Sequence, residues 1–69
     1  MNLEKMEIIV TAYVNGNRRD MVGMVDEYGL YDFFADLNQY LGDHWGGDRE
    51  DQSIVFRGIT IAYHRIKNR

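Results

Sequence analysis

The chain has 69 residues, no cysteine and no proline, 45% hydrophobic and 13% aromatic residues, and a net charge of −3. That length is room for one domain, residues 1–69, of marginal stability, because so short a chain buries only about 60% of its unfolded surface. The missing thiols exclude disulfides, thiolate catalysis and cysteine-ligated zinc or iron–sulfur centres, and the hydrophobic content excludes a disordered chain.

Met1 to Met6 carries no apolar run behind a basic patch, so no signal peptide is expected. No apolar run approaches the ~20 residues of a membrane span. The expected place is a reducing cytoplasm, or a host's cytoplasm were the chain phage-encoded.

Residues 5–14, KMEIIVTAYV, are rich in β-branched and aromatic types. Met6, Ile8, Val10, Ala12 and Val14 alternate at period two, which predicts a strand. Asn15-Gly16-Asn17 follows, and Asn-Gly is the strongest short hairpin signal. Residues 18–25 then read as a returning strand, with a bulge or close backbone contact at Gly23. Leu30, Phe33, Phe34, Leu37 and Leu41 sit at i, i+3, i+4, i+7 and i+11, the apolar stripe of a helix. Its start falls between 27 and 30, and Gly42 is its expected C-cap. Residues 42–52 read as a polar loop. Residues 53–66 read as one strand whose apolar phase shifts after Gly58, so that a bulge at Arg57-Gly58 is required. A hairpin there is the alternative. The tail from Lys67 is basic.

The fold class expected is therefore α+β: a three-stranded sheet with one helix on one face, β-β-α-β, or β-β-α-β-β with the hairpin. The uncovered sheet face would carry Ile9, Tyr13, Val22, Met24, Ala62 and Ile66. So much bare apolar surface calls for a partner, such as a second copy pairing by two-fold symmetry.

Catalytic chemistry finds little footing. Ser53 is the only serine and lies in no nucleophile-elbow pattern. His44 and His64 are the only histidines, and the loop Asp43 to Asp51 lacks the spacing of an EF-hand. Gly46-Gly47 is followed by Asp48, Glu50 and Asp51, whose charge repels phosphate. The expectation is a protein that is not an enzyme, with no cofactor and no metal.

Charge distribution is more informative than its sum. Residues 20–51 hold nine acids (Asp20, Asp26, Glu27, Asp32, Asp36, Asp43, Asp48, Glu50 and Asp51) and one base, Arg49, which gives 1 − 9 = −8. The rest holds seven bases against Glu4 and Glu7, or +5. Asp32, Asp36 and Asp43 fall on one side of the expected helix. An acidic surface that meets a basic protein partner is the first reading. Its residues would be Asp32, Asp36, Asp43, Trp45, Asp48, Glu50, Asp51 and Tyr31, with Tyr28 and Tyr40 as further aromatic anchors. The competing and favoured reading of Trp45 folds it back to cap the core beneath the helix C-terminus. In size and charge style the chain is similar to phage and mobile-element inhibitors, the anti-CRISPR and anti-restriction proteins that place carboxylates like DNA phosphates. No family motif carries that similarity. The alternatives are a homodimeric structural subunit using the open sheet face, or a small nucleic-acid-binding domain. The latter would use Arg57, Arg65, Lys67 and Arg69 on and after the last strand, with Arg18 and Arg19, although the net charge disfavours it.

Overall fold

Met6, Ile9, Val10 and Tyr13 are spaced i, i+3, i+4 and i+7, and this stripe decides the first element. Residues Leu3–Val14 form a helix, α1, with Met6, Ile9 and Val10 buried. The period-two set is not the buried set, since Ile8 is half exposed and Val14 more so. Asn2 caps the start, its side chain accepting from the Lys5 N–H at 3.1 Å. Asn15-Gly16 closes a helix here and turns no hairpin. Gly16 takes φ +83°, the Gly16 N–H reaches Tyr13 O at 3.0 Å, and the Asn17 N–H reaches Ala12 O at 2.8 Å. Those two bonds are a Schellman motif, which needs a left-handed residue as much as a hairpin turn does.

The computed structural model describes residues 1–68. Four α-helices and one π-helical turn make up their regular structure, with no strand among them. The α+β expectation is thus corrected to an all-helical bundle. After α1 come α2 (Arg18–Tyr28), α3 (Leu30–Tyr40), a π turn (Leu41–Trp45) and α4 (Arg49–Lys67).

In α2, Met21, Val22 and Val25 are buried, and Gly23 sits in mid-helix with open space around it. Gly29 alone separates α2 from α3. Its φ of +106° turns the chain, its N–H ends α2 on Val25 O at 3.0 Å, and its C=O starts α3 by accepting from Phe33 N–H at 2.8 Å. Only glycine holds such a backbone without strain. In α3, Phe33, Leu37 and Tyr40 are buried, whereas Leu30 is 41% exposed. The helix does not stop at Gly42. It widens into the π turn, and the chain leaves through Gly46 and Gly47.

Residues 53–66 lie inside α4, whose buried or half-buried line is Val55, Ile59, Ala62, Tyr63 and Ile66. That spacing is helical throughout. The phase shift at Gly58, which demands a bulge in a strand, is simply a period of 3.6 read as a period of 2. Asp48 caps α4 by accepting from the Asp51 N–H at 2.9 Å.

One core joins these helices. Phe33, Met6, Ile9, Met21, Leu37, Ile59, Val10 and Val25 are its most enclosed side chains. Helix α2 packs on α1, α3 and α4. Edge-to-face rings run Tyr28–Phe33–Phe34, and Phe34 then meets both Phe56 and Tyr63 of α4. This removes the open sheet face. Ile9, Val22 and Ala62 are buried in the chain's own core, and Tyr13, Met24 and Ile66 pack half-buried against it. With no sheet, a dimer through a sheet face has no surface to use.

Candidate functional site

The acids of residues 20–51 are spread over α2, α3, the π turn and the start of α4. Tyr31 and Asp32 stand in the first turn of α3, both exposed, and Tyr31 is 89% exposed, the largest value among the exposed large hydrophobic residues. Asp36 lies one turn on and is half-buried. It accepts from the Tyr28 hydroxyl at 2.5 Å, and the same hydroxyl accepts from the Asn2 N–H at 3.1 Å. Asp36 therefore ties α3 to α2 and to the start of α1. Asp43 is exposed on the π turn, about 16 Å along the axis from Asp32 at 1.5 Å per residue.

Trp45 is half-buried and packs against the core, with Gly47 close against its ring. It belongs to the core reading more than to an exposed anchor. Asp48 is a helix cap, and Glu50 and Asp51 fill the first turn of α4, where the helix dipole favours negative charge. Glu4, Asp20 and Asp32 do the same for α1, α2 and α3. Much of the acidic excess thus has a local origin, since each helix start recruits acid. Among the described residues only Asp26 meets a cation within 4 Å, namely Lys67 at 2.8 Å.

Asp26 is the centre of the best-defined polar cluster. It accepts from the Tyr63 hydroxyl at 2.5 Å and from Lys67 Nζ, joining α2 to the C-terminal half of α4. The Lys67 hydrogen bond, then that of Tyr63, holds the Asp26 carboxyl below its ordinary range. The bond to Asp26 raises Tyr63 and Lys67 above theirs. Burial raises Tyr28, helped by Asp36, and burial raises Tyr40, helped by Glu7. Each of these shifts favours the protonation state the group has at neutral pH.

No catalytic set forms around the remaining candidates. Neither histidine nor Ser53 joins a side-chain hydrogen bond among the described residues. His44 stacks on Tyr40 at 6.1 Å, and His64 meets the edge of Tyr63. No three His, Asp or Glu side chains among the described residues are grouped to hold a metal ion. No helix of the described residues is long and apolar enough to cross a membrane.

The bases, by contrast, do converge. Helix packing sets Arg18 and Arg19, at the start of α2, beside Arg65 of α4. They line an open groove of about 720 Å³ together with Tyr13, Gly58, Ile61, Ala62 and Ile66. Arg18 lies over the Tyr13 ring at 5.1 Å, a cation–π contact. A second groove, about 550 Å³, carries Arg49 and Arg57 between α3 and α4. The sequence shows these arginines, but a strand reading lines up Arg57, Arg65 and Lys67 along one edge, and nothing in it brings Arg65 to Arg18. Arg69 lies outside the described residues.

Comparison with protein-family models, curated proteins and solved structures returns no match.

Proposed function

We propose that the chain is a non-enzymatic protein-binding module that turns the acidic, aromatic side of α3 toward a basic surface on a larger protein. The carrying observation is Tyr31: an aromatic side chain 89% exposed, beside exposed Asp32, on a helix whose acids have no cation partner among the described residues. Tyrosine is a common anchor at interfaces, and unneutralised carboxylates attract and orient a basic partner. Asp36 contributes charge from a position fixed by Tyr28, and Asp43 extends the line toward the π turn. Asp48, Glu50 and Asp51 add to the field at the start of α4, while Trp45 supports them from the core side. Inhibition by charge mimicry, in the anti-restriction or anti-CRISPR style, is the mechanism such a surface would serve.

The test is capture of a partner from the source organism's lysate by wild type and by Tyr31→Ala, Asp32→Lys and Asp43→Lys variants. Asp36 is left intact because its loss would disturb the fold. A partner that is released by moderate salt and lost with the charge reversals, while helical circular dichroism is unchanged, is the expected result. A partner held equally by all variants would refute the reading.

A further inference from the structure

The arginine groove lies away from α3 and asks for a ligand of the opposite sign. Three guanidinium groups, Arg18, Arg19 and Arg65, line it, and none has a carboxylate within 4 Å among the described residues. The one acid on its rim is Asp20, so the groove carries 3 − 1 = +2 in a chain of net charge −3. Like charges are brought together here at some cost, and an anion between them relieves it. Arg18 is held in place by its stack on Tyr13, so part of its ordering entropy is already lost before a ligand arrives. The forked guanidinium suits phosphate oxygens in pairs.

The apolar lining is different chemistry. Ile61 is 43% exposed and Ile66 half-exposed, and the buried Ala62 lines the groove with them. A bare inorganic ion would leave that apolar strip wet. A ligand with a charged end and a flat apolar body would use both. The groove volume falls within the ~300–1,000 Å³ typical of small-molecule sites. A long polyanion is less well served, because Asp20 sits on the rim and the rest of the chain carries a net −3 − 2 = −5.

We propose that this groove is a binding site for a nucleotide, its phosphates held by Arg18, Arg19 and Arg65 and its base laid along Ile61 and Ile66. The site is independent of the acidic side of α3.

The experiment is an NMR titration of the full chain with ADP, with inorganic phosphate alone, and with a short single-stranded DNA oligomer as parallel arms. The expected result is that ADP shifts the amides of Arg18, Arg19, Ile61 and Arg65. Its affinity should exceed that of phosphate by about tenfold or more, the effect of one apolar contact of ~1.4 kcal/mol. Arg18→Ala with Arg65→Ala should abolish the shifts while the helical spectrum is kept. Ile61→Ser should reduce ADP binding but not phosphate binding. Equal binding of phosphate and ADP would overturn the nucleotide assignment in favour of a general anion patch. Much tighter binding of the oligomer, with a steep salt dependence, would overturn it in favour of a nucleic-acid strand. No shift in any arm would remove the site.

Discussion

Gly23 and Gly58 are both glycines inside helices, yet their surroundings are opposite. Nothing lies within 4 Å of a Cβ built on Gly23, and its residue is exposed. A Cβ on Gly58 would overlap the hydroxyl of Tyr13, which reaches across from α1 onto the α4 backbone. Gly23→Ala should therefore stabilise by about 0.5–1 kcal/mol, the ordinary helix-propensity difference. In a chain this small that raises the thermal midpoint by several degrees. Gly58→Ala should give no such rise, because Tyr13 must leave its seat and its stack under Arg18. In a Tyr13→Ala background Gly58→Ala should become stabilising, and this reversal in a double-mutant cycle measures the contact. Equal rises for both single variants would mean that Tyr13 does not rest on Gly58. None of this is legible in the sequence, where Gly23 and Gly58 both read as strand interruptions. Asp48 was closer to legible: an Asp three residues before Asp51, ahead of an apolar run, is a helix-start pattern, and the polar loop reading concealed it.

At the scale of elements, α3 is the one whose type its apolar stripe declares, because Phe33 and Leu37 fit a helix and no strand. Helix α1 matches two templates at once. Its Ile8, Ile9, Val10 and Thr11 have strand-like chemistry, and the helical line Met6, Ile9, Val10 and Tyr13 is no longer than the alternating one. Tertiary burial chooses between them, and local propensity is too weak to do so. Helix α4 gave a usable sign, since a strand that needs a bulge to keep one buried face is a helix candidate. The α2–α4 contact carries its own pH dependence. Asp26 titrates lower in the fold than its ordinary 3.8, so its contribution is complete above that value and is lost as pH falls through the folded-state value. Tyr63 and Lys67 titrate above their ordinary 10.0 and 10.5, so theirs are complete below those values and are lost as pH rises through the folded ones. Stability should show a plateau between about pH 4 and pH 10 in this respect, with a loss at each side. Asp26→Asn should lower the thermal midpoint at pH 7 and flatten the acid side of the profile. Profiles of wild type and variant that run parallel from pH 7 downward would show that the Asp26 cluster does not join α2 to α4.

For the whole molecule, the change of fold class moves the site as well as the core. A sheet with one bare face needs a partner to cover it. A bundle with Ile9, Val22 and Ala62 inside needs none for that purpose, and the proposal of a partner rests on the charged, aromatic side of α3 instead. Of the residues expected from sequence to face a partner, Tyr31, Asp32, Asp43, Asp48, Glu50 and Asp51 stand exposed, Asp48 also capping α4, whereas Asp36 is half-buried in a hydrogen bond to Tyr28 and Trp45 leans on the core. The charge asymmetry is visible as −8 against +5, but the groove is not, because Arg18 and Arg65 line one groove only once α1, α2 and α4 pack together. The groove depends on α1 and α4 being helices that meet at Tyr13 and Gly58. Backbone NMR assignment tests this most directly: helical Cα shifts through residues 3–14 and 49–67, with a nuclear Overhauser contact from the Tyr13 ring to the Gly58 α-protons, is the result that the bundle requires. Extended-strand shifts over 5–14 and 53–66 would contradict it, and would take the groove with them.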